Sequence, residues 1–228
     1  MNWLDASGRL RLRLKDPGSA ITHLIGAVLS VMGLVALVTL AARRGTPWHV
    51  VSFSIFGASL VLLYTASTLY HSLRVPPRAA VALRKLDHSM IFVLIAGTYT
   101  PFTLLPLRGP WGWSLLGVAW GVAVLGIVVK LFWLDAPRWL YTTVYVLMGW
   151  MVVVALGPLV RAAPLPATIW LGVGGLFYTL GAALYATRWP NPWPGKFGFH
   201  EIWHLFVLAG SAAHFAAVLQ LVPFSPSA

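Results

Sequence analysis

Two histidines four residues apart, His200 and His204, have the spacing of a metal-binding pair. In a helix this spacing places both imidazoles on one face, and imidazole is a common ligand of zinc. His71 follows Ser67 by four residues near the end of another apolar stretch, and Asp87 opens the next one. Three imidazoles leave the fourth position of a tetrahedral zinc site open for water. A nearby carboxylate can hold that water and take its proton.

The composition determines what kind of protein must position these residues. The chain has 228 residues, of which 59% are hydrophobic, 9% are charged and none is cysteine. Soluble domains carry about 25% charged residues, so a soluble globular protein is excluded. The absence of cysteine excludes disulfides and thiolate metal sites. Because the chain is apolar throughout, we expect an all-α, polytopic membrane protein.

Seven apolar stretches are long enough to cross a bilayer, which requires about 20 residues. They cover residues 20–42, 48–73, 86–106, 111–133, 139–160, 165–187 and 199–222. Proline, glycine and basic residues separate them. The sequence therefore predicts a basic N-terminal segment at 1–19, a seven-helix transmembrane domain at 20–222 and a short tail at 223–228. The first 16 residues are too charged for the apolar core of a signal peptide, so we expect the first span to stay in the mature protein.

The basic residues predict the orientation of the chain. Its formal charge is 16 − 5 = +11, but the excess follows membrane topology and does not indicate a nucleic-acid partner. If the N-terminus is in the cytoplasm, twelve Lys and Arg residues lie on the cytoplasmic side and four lie outside. This distribution agrees with the excess of Lys and Arg that cytoplasmic loops carry. The inner twelve are Arg9, Arg11, Arg13, Lys15, Arg74, Arg78, Arg84, Lys85, Lys130, Arg138, Arg188 and Lys196. We therefore expect the C-terminus to lie outside the cytoplasm. We also expect the basic Arg9–Lys15 segment to lie on the anionic head groups of the membrane.

This orientation places the candidate ligands at one depth. The second span ends inside at His71, the third begins inside at Asp87, and the seventh begins inside at His200 and His204. Ionisable groups within membrane spans commonly mark functional sites. The sequence therefore predicts zinc bound by His71, His200 and His204, with Asp87 and Ser67 next to the bound water.

Glu201 and the remaining histidines leave alternatives open. Glu201 completes His-Glu-x-x-His, the pattern in which the glutamate of a zinc peptidase is the general base. His214 lies ten residues beyond His204, about 15 Å along a helix, too far to share the metal. For His23, two roles remain open: packing between helices or head groups, and support of the site from outside the ligand group. A serine-hydrolase triad is excluded because no strand–turn–helix elbow exposes Ser67.

Three motifs resemble the bacterial hemolysin III family, the bacterial branch of the progestin and adiponectin receptors, in a superfamily that includes alkaline ceramidases. They are Ser67-Thr68-Leu69-Tyr70-His71, Lys85-Leu86-Asp87-His88 with the following Ala96-Gly97-Thr98-Tyr99-Thr100-Pro101, and His200-Glu201-Ile202-Trp203-His204 through His214-Phe215. The resemblance implies the same zinc ligands, with Asp87 and Ser67 around the water. It also implies seven helices, a cytoplasmic N-terminus and a bacterial inner (plasma) membrane location. The known chemistry of the superfamily is hydrolysis of a lipid amide.

These observations predict a zinc-dependent membrane hydrolase that acts on the acyl amide or ester of a membrane lipid. Three alternatives remain at this point. One is a zinc-stabilised sensor or regulator of membrane lipids without turnover. The second is an intramembrane metalloprotease that uses the His-Glu-x-x-His pattern, and the third is a pore-forming cytolysin.

Overall fold

The computed structural model describes residues 14–195 and 197–223, and these residues are almost entirely helical. Most of the basic Arg9–Lys15 segment and the C-terminal tail lie outside this described part, so the expectations for them stay predictions. The helices are α1 (Pro17–Arg44), α2 (Pro47–Ser72), α3 (Pro77–Leu104), α4 (Pro110–Phe132), α5 (Arg138–Trp150), a 3-10 segment (Met151–Ala155), α6 (Leu156–Ala162), α7 (Leu165–Thr187) and α8 (Phe199–Leu219).

Proline residues mark the start of most of these helices. Pro17, Pro47, Pro77 and Pro110 each occupy the first position of α1 to α4. This position suits proline because its fixed φ is already helical and its missing N–H would have no partner inside the helix. At Pro17, Pro47 and Pro110 the helices begin within three residues of the predicted spans.

Six helical segments are long and apolar enough to cross a membrane: α1, α2, α4, the continuous Arg138–Ala162 segment, α7 and α8. The predicted third span, 86–106, is different. It lies within α3, which has 28 residues and begins nine residues earlier, at Pro77. The first half of α3 carries Arg78, Arg84, Lys85 and Asp87, and the second half carries Thr98, Thr100 and Thr103, so α3 is less apolar than the six segments above.

The outward faces of the helices have the composition of a lipid-facing surface. On α1, Val28, Met32 and Val35 are 55%, 63% and 61% exposed. Their spacing of four and three residues places them on one side of the helix. A soluble protein would not expose such a continuous apolar stripe, which agrees with a multi-pass membrane protein.

The helix of the predicted fifth span is not a regular α-helix throughout. The Tyr99 side chain of α3 forms hydrogen bonds with its backbone at the irregular part. Pro158 cannot donate the hydrogen bond to Val154 that a regular α-helix requires, and the 3-10 segment Met151–Ala155 lies just before it. The Tyr99 hydroxyl donates to the carbonyl oxygen of Met148 at 2.8 Å and accepts from the amide of Val152 at 2.9 Å. It thus bridges two backbone groups that a continuous helix would pair with each other.

The helices enclose a cavity. α1 packs against α2 and α8, α2 against α3, α3 against α4 and α5, and α7 against α5 and α8. Close packing at α1–α2 depends on Gly26, where a Cβ would come within 2.6 Å of the Tyr64 ring. The resulting ring of α1, α2, α3, α5, α7 and α8 surrounds the space where the functional residues meet.

Candidate metal centre

Three histidines from two distant helices meet at one end of the bundle. His71 is at the end of α2, and His200 and His204 are in the first turns of α8. One ring nitrogen of each lies within 4.8 Å of the others. The Nε2 atoms of His71 and His200 are 3.4 Å apart. The structure therefore brings together the three predicted ligands, and this group could hold a metal ion.

The imidazoles of this cluster are unusual because they face one another in a buried position. His71 and His204 are 4% and 2% exposed, and the ring centres of His200 and His204 are 4.7 Å apart. Buried polar groups normally have hydrogen-bond partners, yet three facing nitrogens cannot all satisfy one another. A bound cation would resolve this arrangement, because each nitrogen could then offer a lone pair to it.

Two hydrogen bonds fix how the ligands face the cluster. The Asp16 carboxylate accepts a hydrogen bond from His71 Nδ1 at 2.9 Å, so the proton is on Nδ1 and the Nε2 lone pair is free. Thr22 Oγ1 lies 3.2 Å from His204 Nδ1. Because Thr22 donates its own proton to backbone oxygens of α1, it accepts from His204, whose Nε2 is free as well.

His23 lies directly against this cluster. Its ring stacks on His204 with centres 3.6 Å apart and planes within 13°, and meets Tyr64 edge-on at 5.1 Å. Neither ring nitrogen has a hydrogen-bond partner in the described part of the chain. His23 is outside the group of candidate ligands, so it contacts a ligand ring without joining the cluster.

Ser67 and Asp87 form a pair beside the histidines. Ser67 is 1% exposed and lies next to the Asp87 carboxylate. Both residues line the same cavity as His200 and His204. Asp87 lies outside the group of candidate metal ligands. The pair therefore adds a hydroxyl and a carboxyl group to the polar end of the cavity.

The cavity has a volume of about 230 Å³ and is mostly apolar. It extends along α3 from Asp87 to Phe102 and along α8 from His200 to His214, which corresponds to roughly 20 Å at 1.5 Å per residue. His214 is at the far end, where Nε2 lies 3.1 Å from the Leu171 carbonyl oxygen. A long apolar space therefore leads away from the polar cluster.

Glu201 has a structural role at the start of α8. Its Oε2 accepts from the Gly198 amide at 2.8 Å, as in a capping box, and its Oε1 accepts from Ser19 Oγ at 2.9 Å. Both oxygens therefore accept hydrogen bonds that hold the start of α8, and neither of these bonds is to one of the three imidazoles.

The sequence interpretation missed Asp16, Thr22 and the position of His88. Asp16 lies just before the first predicted span, 20–42, and outside the three motifs. The available signal was its place as one of only five acidic residues, immediately before a span at the inner side. His88 follows Asp87 directly, and adjacent helical residues differ by about 100° in direction. It nevertheless lines the same elongated cavity as Asp87, close to the ring of Tyr141.

The described residues define a multi-pass helical membrane protein with a buried three-histidine centre that could hold a metal. A family model described as "Haemolysin-III related" matches residues 13–215. The chain belongs to this family, as the three sequence motifs indicated.

Relatives from bacteria and animals agree with this assignment. The chain is 45% identical over 206 residues to "Hemolysin-3 homolog" of Bacillus subtilis (strain 168), covering 90% of this chain and 93% of that protein. It is 43% identical over 209 residues to "Hemolysin-3" of Bacillus cereus, covering 91% and 92%. A more distant similarity, 24% over 208 residues, links it to the human "Monocyte to macrophage differentiation factor", covering 88% and 83%.

Proposed function

We propose that this protein is a zinc-dependent membrane hydrolase that cleaves the acyl amide or ester bond of a lipid. One observation carries the proposal: three imidazoles converge beside a long apolar cavity that is lined by two of them, His200 and His204, and by Ser67 and Asp87. A site that only stabilised the fold would not require an acyl-sized cavity that opens onto it.

Zinc fits the donor set better than other common metals. Three neutral imidazoles with no thiolate and no direct carboxylate suit zinc, whereas calcium and magnesium prefer oxygen ligands. Two nitrogens bound to one tetrahedral zinc at about 2.0 to 2.1 Å lie about 3.3 to 3.4 Å from each other. The distance of 3.4 Å between His71 Nε2 and His200 Nε2 matches this value. Zinc would supply Lewis-acid chemistry, which activates water near neutral pH and polarises a carbonyl.

Asp87 is the residue that we assign to proton transfer. Its carboxylate accepts the proton of a water molecule as the water oxygen attacks the acyl carbonyl carbon. It then returns the proton to the amine or alcohol that leaves when the C–N or C–O bond breaks. Asp87 lines the cavity beside Ser67, and a base must lie within reach of the proton that it removes.

The substrate class follows from the walls of the cavity. Leu94 and Phe102 of α3, Val153 and Leu156 of the interrupted fifth span, and Leu171 of α7 line the space away from the cluster. Such walls favour an acyl chain because their side chains pack closely against its apolar surface. A membrane lipid is therefore the partner that we propose.

The proposal includes a topology in which α3 is a seventh span and the N-terminus is cytoplasmic. α3 packs against α2, α4, α5 and α8, and most of its residues from Phe92 to Leu104 are buried, so this part does not need the composition of a lipid-facing helix. Arg84, Lys85 and Lys130 lie at the histidine end of the bundle, where Arg84 pairs with Asp135 at 2.9 Å. The bias of basic residues toward that end favours a cytoplasmic location for it, in the plasma membrane of a bacterium.

The experiment is a hydrolysis assay with purified protein in vesicles. The probes are a fluorescent N-acyl amide lipid and its ester counterpart, and the readout is the released fatty acid measured by mass spectrometry. We expect release that stops after treatment with a chelator and returns when Zn²⁺ is added back. Protein stripped of metal and given Mg²⁺ is the control, and it should remain inactive.

The same vesicles distinguish the remaining functions. Zinc binding without release from either lipid would contradict the hydrolase and favour a sensor of membrane lipids. Escape of an encapsulated dye that does not depend on zinc would favour a pore. Cleavage of a transmembrane peptide that survives replacement of His71 would favour a protease.

A further inference from the structure

The residues that begin α1 are attached to the metal centre at several points. Before the helix starts, the Lys15 amide donates to the Ser72 carbonyl oxygen at 3.3 Å and the Asp16 amide to the His71 carbonyl oxygen at 2.9 Å. The Lys15 ammonium donates to the Tyr70 carbonyl oxygen at 3.2 Å. This short segment is therefore fixed along the end of α2, beside the ligand that α2 provides.

The segment places one carboxylate oxygen on a candidate ligand. Asp16 Oδ2 lies 2.9 Å from His71 Nδ1, on the side of the ring opposite to the Nε2 that faces His200. Carboxylates in this position fix the tautomer and orientation of a metal-bound imidazole and raise its basicity. The Asp16 side chain is 41% exposed and that of His71 only 5%, so the carboxylate reaches a buried ring from the protein surface.

The first turns of α1 repeat this support on a second ligand. Thr22 Oγ1 accepts from His204 Nδ1 at 3.2 Å, and Ser19 Oγ donates to Glu201 on the same helix at 2.9 Å. One stretch, Asp16 to Thr22, thus contacts both α2 and α8, although Thr22 and His204 are 182 positions apart.

We propose that this stretch is the outer support of the metal centre, and that Asp16 and Thr22 are positioning residues that set its affinity for zinc. Asp16 holds His71 and contributes a negative charge next to the cation, whereas Thr22 holds His204 without a charge. The inference rests on the zinc site proposed above. It adds Asp16 and Thr22 to the residues already assigned to that site, which are the three histidines and Asp87.

The test is a zinc competition titration of the purified full chain in detergent against a fluorescent chelator. We expect Asp16→Ala to weaken zinc binding about 10- to 100-fold, the range for losing such a partner. Asp16→Asn keeps a hydrogen-bond acceptor but no charge and should lie between Asp16→Ala and the unmodified protein. Thr22→Val should weaken binding less than Asp16→Ala, because the lost partner is neutral.

Two control variants separate this role from general damage to the fold. Lys15→Ala removes the ammonium contacts with the Tyr70 carbonyl oxygen and with Asp16 Oδ2 at 3.4 Å. It keeps the Asp16 carboxylate and its bond to His71, so its affinity should stay within about fivefold of the unmodified protein, as for the loss of an exposed ion pair. Asp135→Asn removes an acidic residue that pairs with Arg84 at the same end of the bundle, and it should leave affinity unchanged. The absorption of the Co²⁺-loaded protein gives a second readout, since Asp16→Asn alters the donor strength of His71.

The outcomes distinguish this inference from the zinc site itself. If the unmodified protein and His71→Ala differ strongly in zinc affinity while Asp16→Ala binds as tightly as the unmodified protein, the support role is wrong and the zinc site stands. If the unmodified protein binds no zinc, both are wrong. Equal losses in Asp16→Ala and Lys15→Ala would assign the effect to docking of the segment and overturn the role of the carboxylate.

Discussion

His71 and His200 face each other with their Nε2 atoms 3.4 Å apart, across 129 positions of sequence. The Asp16 carboxylate accepts a hydrogen bond from His71 Nδ1, so the nitrogen that faces His200 carries a lone pair. Two lone pairs at this distance repel each other unless a proton or a cation lies between them. The end of α2 and the start of α8 therefore meet at a point where a bound cation would stabilise the fold.

Metal removal should lower the stability of the protein. A ligand that binds only the folded state stabilises it by about 4 kcal/mol at a free concentration 1,000 times its Kd. We expect a chelator to lower the thermal unfolding temperature of the protein in detergent, and added Zn²⁺ to restore it. His204→Ala should show no such response. An unmodified protein that is insensitive to the chelator would contradict a structural contribution of the metal.

Replacement of the two carboxylates near the centre should give different results. Asp87→Asn removes the proposed base, so we expect lipid hydrolysis to be lost while most of the zinc remains. Glu201→Gln keeps one carbonyl oxygen for the Gly198 amide or Ser19, and the loss of the other hydrogen bond costs about 1 kcal/mol. It should therefore retain turnover. The measurement is zinc content and lipid-amide turnover for each variant.

The reverse result would be equally informative. An inactive Glu201→Gln together with an active Asp87→Asn would assign the base to Glu201 and favour a peptidase-like mechanism. Asp135→Asn is the matched control, because it removes a carboxylate at the same end of the bundle that pairs with Arg84.

The helix interruption next to the cavity should depend on one hydroxyl. Tyr99→Phe leaves the Val152 amide without its partner, whereas the Met148 carbonyl keeps its bond from the Met151 amide, and an unsatisfied buried group costs about 1 to 3 kcal/mol. We expect a loss of this size in a denaturant or detergent unfolding assay. Tyr141→Phe is the control, since within the described residues its hydroxyl is hydrogen-bonded only to that of Tyr185 at 3.4 Å, and it should have little effect.

The sequence predicted much of this structure because its signals are local. Spans are read from runs of apolar residues, and helix starts from prolines such as Pro47 and Pro110. The meeting of His71 with His200 and His204 could also be predicted, because the predicted topology places the end of α2 and the start of α8 at one depth.

Other features depend on tertiary contacts that no local pattern shows. The interruption in the fifth span is stabilised by Tyr99, which comes from a different helix. Asp16 reaches His71 only because the segment before α1 lies along α2. Glu201 also accepts a hydrogen bond from Ser19 of α1, and the peptidase pattern around Glu201 does not reveal this contact.

The proposed topology predicts opposite reporter results at two sites. A reporter fused after Ala228 should be active only outside the cytoplasm, because seven spans place that end across the membrane from a cytoplasmic N-terminus. The same reporter inserted between Val75 and Arg78 should be active only inside. Reporters active on the same side at both sites would show that α3 or another helix does not cross the membrane.

The zinc content of purified protein tests the central claim most directly. Measured by mass spectrometry of the metal, it should be about one zinc per chain, which the three-imidazole site predicts. His71→Ala, His200→Ala and His204→Ala should each lose most of this zinc, whereas His49→Ala, at the opposite end of α2, should keep it. A full complement of zinc in His71→Ala, or no zinc in the unmodified protein, would contradict the three-histidine centre.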